Sequence, residues 1–576
     1  MLLQVGFQNH NEKHHFLTTP NSLSNPRDKG LFLPSSKIHQ LHSDQVQIAF
    51  TGRKIPPAKA IFASVAMTPQ NPKWKQAISR QIEYIKKRAD TRSDFERDFN
   101  RILHSEGYER LRFKAQTYVK AHKGVLSDSK IAHVAPPNDM VSTRSTHVSQ
   151  VADIAERICK ELGLNSELAK AIAHGHDIGH SPFGHEGENI LRKISTEAGL
   201  EPFWHEKNSL NMVDNLVTLK NKEGKSKNLN LTYAVRDGII LHCGEVDQNG
   251  IKPRNEVIDL MSMKKASETQ PFTWEGCVVK IADKIAYIGR DIEDAQRLGI
   301  LDENNQKDLQ KIIKKHIPGF KKEVNNSSLI DLFINDIVAN SSPEKGIGFS
   351  KPVFDAMKDI KNYNYKNIYH TEALHPPAEY FNTVLRTTFN TYDNLYKGEN
   401  TLQELDRHSN LPTKHFKEWL VKYTDNDEKP KDLKNKTTYD INDKQQYRQA
   451  IVDYMSGMTD DFAVDTYKQI NKTEKINKLS ELKNQITSSV IDGDYKTYKI
   501  AKRTYAKQAI EDFDAAKQAP AMTIQNIPVF SKLGWKILKM AIREHFSSKT
   551  PEEKLLNQKT KLLKMEENYK KTHPEI

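Results

Sequence analysis

Cysteine is nearly missing from this 576-residue chain. Cys159, Cys243 and Cys277 are too few and too scattered for a disulfide framework or a CxxC zinc site. Long apolar runs are missing too: none approaches the roughly 18–20 residues that a membrane span needs. The first residues, MLLQVGFQNHNEKHH, lack a basic stretch followed by an apolar one, so no secretory signal is read there. These absences predict a reducing, cytoplasmic protein with no membrane segment. Strand-like alternation is also scarce, and the predicted fold class is mainly α. Hydrophobic residues make up 37% and charged residues 28%, which is polar for an enzyme but too apolar for wholesale disorder. Lys and Arg number 87 against 74 Asp and Glu, a formal charge of +13. That excess favours a polyanion (nucleotide, nucleic acid or membrane surface) without choosing among them.

Organisation follows from pattern and composition. Residues 1–70 are dominated by Pro, Ser, Asn, His and Gln with no persistent period, which predicts a low-order arm. Met67 is an alternative translation start. From Trp74 a helical pattern begins, and Ile78, Ile82 and Ile85, then Phe95, Phe99 and Ile102, recur at spacings of three and four within 76–103. Helices are predicted over 147–162, from Ser166 towards His174, over 277–298, over 447–458 and over 531–546. Residues 303–350 and 425–445 are rich in Lys, Asn and Asp and are expected to contain loops, and the last 25 or so residues read as a charged helix or tail. The expected divisions are 1–70, a core over 71–300, a helical region with loop insertions over 301–470, and a C-terminal helical region and tail over 471–576.

The 22 histidines are unevenly spread. His174, His176, His180 and His185 fall within twelve residues, where the chain average gives about half of one. In AIAHGHDIGHSPFGHEGENI (171–190) an Ala/Ile-rich helix ends at His176–Asp177. Gly179, Ser181, Pro182 and Gly184 then force a tight turn, and a new helix starts around His185. Adjacent imidazole and carboxylate suit a borderline-to-hard divalent metal. A bare HD dipeptide is more often a solvated helix end, but four histidines interleaved with three glycines are harder to dismiss, because buried histidines need partners. Further donors are available. His147 opens the 147–162 helix. In the 277–298 helix one stripe is apolar (Val278, Ile281, Ile285, Ile288, Ile292, Ala295) and a second is polar (Asp283, Tyr287, Arg290, Asp291, Asp294). Taken alone, the polar stripe would read as solvent-exposed.

The blocks HDIGHSPFGHEGE, RSTHVSQVADIA, FWHEKNSLNMVDNL, ADKIAYIGRDIEDA and DYMSGMTDDFA, with DFERDFNRILHSEGYERLRFKAQTYV at 94–119, resemble the bacterial dGTPase branch of the HD-domain deoxynucleoside triphosphate triphosphohydrolases. They occur in the expected order over about 94 to 465. The resemblance implies a helical HD-type metal-binding core and four metal ligands, His147, His176, Asp177 and Asp283. It implies a catalytic pair, His185 and Glu188, which are neighbours at i and i+3 on a helix. It also implies phosphate-side histidines at His180 and His205, the latter grouped with the catalytic residues, while His174 is read as structural. Arg144 and Lys284 are implied as triphosphate contacts, Tyr287 as the ring under the deoxyribose, and Asp291 and Gln116 as groups on the 3′-hydroxyl. The chain departs from the family's usual wording at Ala115 and Ser145, which bears on local pocket shape.

The activity so implied is hydrolysis of a deoxynucleoside triphosphate, dGTP first among them, to deoxynucleoside and inorganic triphosphate. The implied cofactor is a divalent metal, Mn2+ or Mg2+, with Fe, Co, Ni or Zn as other options. The implied partners are the nucleotide, single-stranded DNA and further copies of the chain. The alternatives are another HD-type nucleotide phosphohydrolase or phosphodiesterase, or a nucleic-acid-binding regulatory protein with a weakly active pocket.

Overall fold

In chain order the helices are α1 (Trp74–Ala77), α2 (Asp94–Leu103), α3 (Glu106–Arg110), α4 (Arg144–Leu162), α5 (Ser166–Gly175), α6 (Gly184–Glu197), α7 (His205–Asn211), α8 (Tyr233–Ile240) and α9 (Trp274–Arg297). They continue with α10 (Glu303–His316), α11 (Asn326–Asn340), α12 (Lys351–Asn364), α13 (His375–Asp393), α14 (Thr401–Arg407), α15 (Leu411–Leu420) and α16 (Lys444–Ser456). This computed structural model describes residues 61–84, 89–117, 142–243, 248–265, 268–369, 375–408 and 410–473, with single positions between 481 and 504. The sheet among them is a two-stranded antiparallel ribbon, β1 (Thr218–Lys220) on β2 (Ser226–Asn228), with Leu219 opposite Lys227. The fold is mainly α, as predicted. The predicted 531–546 helix and the tail lie outside the described residues.

The core forms where α4, α5 and α9 pack together, with α2 and α8 against α5. Each helix is stopped and started by local chemistry. Gly163, at φ 79°, ends α4 in the left-handed region that glycine adopts without strain. Two residues on, the Asn165 side chain accepts from the Glu167 and Leu168 amides and caps α5. Thr273 caps α9 by accepting from Gly276. The predicted stripes of α4 (Val148, Val151, Ile154, Ala155, Ile158, Leu162) and α9 (Val278, Ile281, Ile285, Ile288, Ile292, Ala295) are buried throughout. Each large aliphatic side chain among them contributes roughly 1.5–3 kcal/mol by leaving water. The polar stripe of α9 is largely enclosed as well: Asp283, Asp291 and Asp294 are buried, and Tyr287 and Arg290 are half-buried. Solvent is therefore not what that face meets.

Three expectations are corrected or sharpened. The helical pattern over 76–103 is not one helix: α1 stops at Ala77 and α2 starts at Asp94. Between them Arg80 reaches Asp98 at 2.6 Å and the Asn230 carbonyl at 2.6 Å, and this pairing holds the segment out of helix and leaves Ile82 exposed. Within 303–350 the loops are confined to 317–325 and 341–350, and α10 and α11 occupy the rest. Asp302 and Asn325 each form a capping box, and Leu309, Ile313, Leu329, Phe333 and Ile337 are buried beneath the polar surface residues. Finally, the low-order arm does not extend to residue 70. The Phe62 amide donates to the Leu162 carbonyl at 2.9 Å, its ring meets Trp274 edge-on at 5.0 Å, and the Met67 amide donates to Glu275 at 2.9 Å. Residues 1–60 lie outside the described residues.

Candidate active site

The site is built around the turn from His176 to Gly184. The His176 Nδ1 lies 2.6 Å from the Ala173 carbonyl and donates to it, which turns Nε2 inward. Gly179 passes so close to α7 that a methyl there would sit 2.2 Å from the Ser209 nitrogen, so only glycine fits. Phe183 takes a left-handed conformation, φ 64°, that a non-glycine residue adopts only when its surroundings impose it. Asp460 supplies that constraint: its carboxylate accepts from the Phe183 amide at 2.8 Å and from the Ala115 amide at 2.9 Å. Lys114, fully buried, donates to the His180 carbonyl at 2.5 Å and to the Ser456 carbonyl at 2.8 Å. Residues far apart in sequence thus clamp one turn.

Four donors converge beside it. His147 Nε2 lies 2.9 Å from Asp283 Oδ1 and 4.0 Å from Asp177 Oδ2. His176 Nε2 lies 3.5 Å from Asp177 Oδ2 and 4.0 Å from Asp283 Oδ1. These atoms come from α4, the end of α5 and α9. Burial favours the neutral carboxyl of Asp177, but the Arg144 guanidinium and the imidazoles of His176, His180 and His205 outweigh it and hold the group well below the usual carboxylate range. Asp283 is likewise buried yet lowered, through its hydrogen bond to His147. Burial lowers His176, keeping it a neutral imidazole. Ionised carboxylates beside the neutral His176 imidazole are states that suit a divalent cation. His176 Nε2 is buried without a hydrogen-bond partner, so an ion would supply what the protein does not. The donor set fits a divalent cation.

The other predicted residues divide. Arg144 lies buried behind Asp177, donating to its Oδ2 at 2.5 Å and to the Gln116 carbonyl at 3.3 Å. His180 is fully buried and its Nε2 has no hydrogen-bond partner. His185 is exposed, with its ring 5.3 Å from that of His180 and 6.4 Å from that of His205. Its pKa is lowered by the surrounding protein mass and then by Arg144. His185 and Glu188, expected as a pair on one helix, are not hydrogen-bonded to each other. Glu188 turns instead to His205, accepting from Nδ1 at 2.9 Å and from the amide at 3.2 Å, and is anchored from outside by Arg192 at 3.0 Å. Adjacency on α6 is outweighed because the start of α7 brings an amide and an imidazole to the same carboxylate. His174 packs between Phe99 and Tyr108 and bonds the Lys170 carbonyl, a structural position.

On α9, Lys284 is buried and Tyr287 half-buried, following Asp283 along the enclosed face. Asp291 accepts from Thr117 at 2.9 Å and from Tyr369 at 2.5 Å, and burial pushes its carboxyl up to about 6. Gln116 is buried with its carbonyl oxygen Oε1 lacking a partner. The sequence reading missed His242. It follows α8, its Nδ1 bonds the Ile239 carbonyl at 2.6 Å, and its ring lies 4.7 Å from that of His176. A polar residue ending the apolar run DGIIL was the available signal. Lys114, Thr117, Tyr369 and Asp460 were missed as well, and nothing in their spacing announces them.

Fold and site together define a helical phosphohydrolase: the HD domain family matches residues 144–288, and the phosphohydrolase-associated domain family matches 391–469. A deoxyguanosinetriphosphate triphosphohydrolase-like protein of Caldanaerobacter subterraneus subsp. tengcongensis is 30% identical over 407 residues, covering 70% of this chain and 92% of that protein. Proteins of the same name from Clostridium tetani and Rickettsia bellii are 29% and 28% identical over 413 and 387 residues, covering 70% and 66% of this chain and 93% and 92% of theirs. The chain belongs to the HD-domain deoxynucleoside triphosphate triphosphohydrolase family. No helix among the described residues is long and apolar enough to cross a membrane.

Proposed function

We propose that this chain hydrolyses a deoxynucleoside triphosphate, with dGTP as the first candidate, to deoxynucleoside and inorganic triphosphate. The observation that carries the reading is the convergence of His147, His176, Asp177 and Asp283 within ion-binding distance. The names of the relatives point to the same substrate. His147, His176, Asp177 and Asp283 would hold a divalent metal, Mn2+ or Mg2+ foremost. When bound, such an ion polarises a phosphoryl oxygen and neutralises developing charge. The chain's own groups do the rest. His185, neutral and reachable from solvent, accepts a proton from the attacking water. As the water oxygen bonds to the α-phosphorus, the bond to the 5′-oxygen breaks and that oxygen takes a proton from the same imidazole. Glu188 fixes the His205 ring, so that it faces the reacting group without rotating. His180 and Lys284 place donor or positive groups along a ligand carrying about four negative charges, while Arg144, buried behind Asp177, keeps that carboxylate ionised. Tyr287 lies under the sugar, and Gln116 with Asp291 reads its 3′-hydroxyl.

The test uses purified protein, each dNTP singly and mixed, added Mn2+ or Mg2+, and chromatographic product analysis. Intact inorganic triphosphate is expected from the wild type, and Asp177→Ala should lose bound metal and activity together. Release of pyrophosphate or monophosphate, or wild-type turnover by Asp177→Ala, overturns the reading.

A further inference from the structure

Lys280 stands on the polar face of α9, one turn before Lys284. With Asp283, Lys284, Tyr287 and Asp291 it makes a row at i, i+3, i+4, i+7 and i+11. The residue is buried, with 4% of its surface exposed. Among the described residues its ammonium makes one hydrogen bond, a long one of 3.4 Å to Gln270 Oε1, and no ion pair. The charge of Glu206 reaches it, but that carboxylate is engaged by His205, at 3.4 Å, and by the Cys243 thiol. Burial pulls Lys280 below its ordinary pKa of 10.5, and the positive charge of Lys284 adds to the fall.

A lysine in this position is costly. Its ammonium carries three donors, and lysine is almost never fully buried unless paired. A second buried lysine one turn away adds repulsion. An anion reaching both would satisfy the idle donors of Lys280 and offset that repulsion.

The row also has a direction. Asp291 and Tyr287 are proposed at the sugar, and Asp283 at the metal beside the α-phosphate, so the ligand runs towards the start of α9. Four residues of helix rise about 6 Å. That step carries Lys280 past the α-phosphate to the level of the phosphates beyond it. Lysine suits such a place, being a compact charge on a flexible stem.

We propose that Lys280 binds the terminal phosphate of the substrate, and of the triphosphate released from it, and so sets the preference for three phosphates over fewer. The proposal rests on the triphosphate substrate proposed above. It gives Lys280 a part in binding and none in breaking bonds.

The test is calorimetric titration of the full chain, at fixed Mg2+, with inorganic triphosphate and separately with dGMP. Lys280→Gln removes the charge and keeps a polar side chain, whereas Lys280→Arg keeps the charge. Triphosphate should bind Lys280→Gln roughly 10–100-fold more weakly than the wild type, the loss of one charge-assisted hydrogen bond. The affinity for dGMP should be the same in both, and Lys280→Arg should keep most of the triphosphate affinity. In steady state, KM for dGTP should rise in Lys280→Gln with a far smaller change in kcat. Equal weakening of both probes marks a merely structural lysine and overturns the proposal. Wild-type triphosphate affinity in folded Lys280→Gln overturns it as well, and leaves the proposed reaction standing. A wild type that releases something other than triphosphate from dGTP overturns the proposed reaction and this role with it.

Discussion

Lys114 offers the sharpest physical test of how the active-site turn is held. Its ammonium is fully buried, and burial, followed by the charge of Arg110, pulls its pKa down to about 7 against the partial support of Asp460. The ordinary value for lysine is 10.5. The folded state therefore releases a proton that the unfolded state keeps between about pH 7 and pH 10. Below that window both states are charged and the folded protein bears the whole cost of the buried cation. Within it, stability rises with pH by about 1.4 kcal/mol per unit. The total at stake is on the order of 5 kcal/mol. Lys114→Met removes this titration, but it also strips the donor from the carbonyls of His180 and Ser456. Each buried acceptor so orphaned costs about 1–3 kcal/mol. At pH 6.5 the two effects nearly offset, and the variant should unfold close to the wild type. At pH 9.5 the orphaned carbonyls remain uncompensated, and the wild type should be the more stable by several kcal/mol. Urea unfolding followed by circular dichroism at pH 6.5, 7.5, 8.5 and 9.5 measures the difference. Stability curves for the two proteins that stay parallel across this range would refute the buried-cation argument.

Other outcomes are equally open to measurement. Glu188→Gln weakens the grip on His205, and turnover at saturating metal should fall by roughly 10–100-fold, the usual loss when the support of a site histidine is removed. An unchanged rate would detach Glu188 from the chemistry. Tyr287→Ala should lower the ratio of kcat/KM for dGTP over GTP; a ratio equal to that of the wild type would remove Tyr287 from the sugar pocket. Phe62→Ala should cost about 3–5 kcal/mol in urea unfolding, because the ring is fully buried against Trp274. A chain begun at Met67 should show the same loss, whereas one begun at Ile55 should not.

Much of the fold was readable from periodicity. The apolar stripes of α4 and α9 are local properties, and spacing along the chain displays them directly. Where local signals failed, long-range pairing was the cause. Arg80 answers to Asp98 and Asn230, and Phe62 to Trp274 and Leu162. The polar surfaces of α10 and α11 hid apolar faces that only capping and packing declare.

The site divides along the same line. Sequence by itself determined the inventory: the HD pair, the glycines of its turn, His147 and Asp283, because residue types and order survive any folding. Only the tertiary structure decided partnership. Glu188 stands beside His185 in the helix yet bonds His205, since the start of α7 delivers a better donor pair than its own helix does. Arg144 lies behind Asp177, His242 arrives from the end of α8, and Asp460 and Lys114 hold the turn at Phe183 and His180. Side-chain direction and distance between remote segments set these relations, and neither is written in spacing.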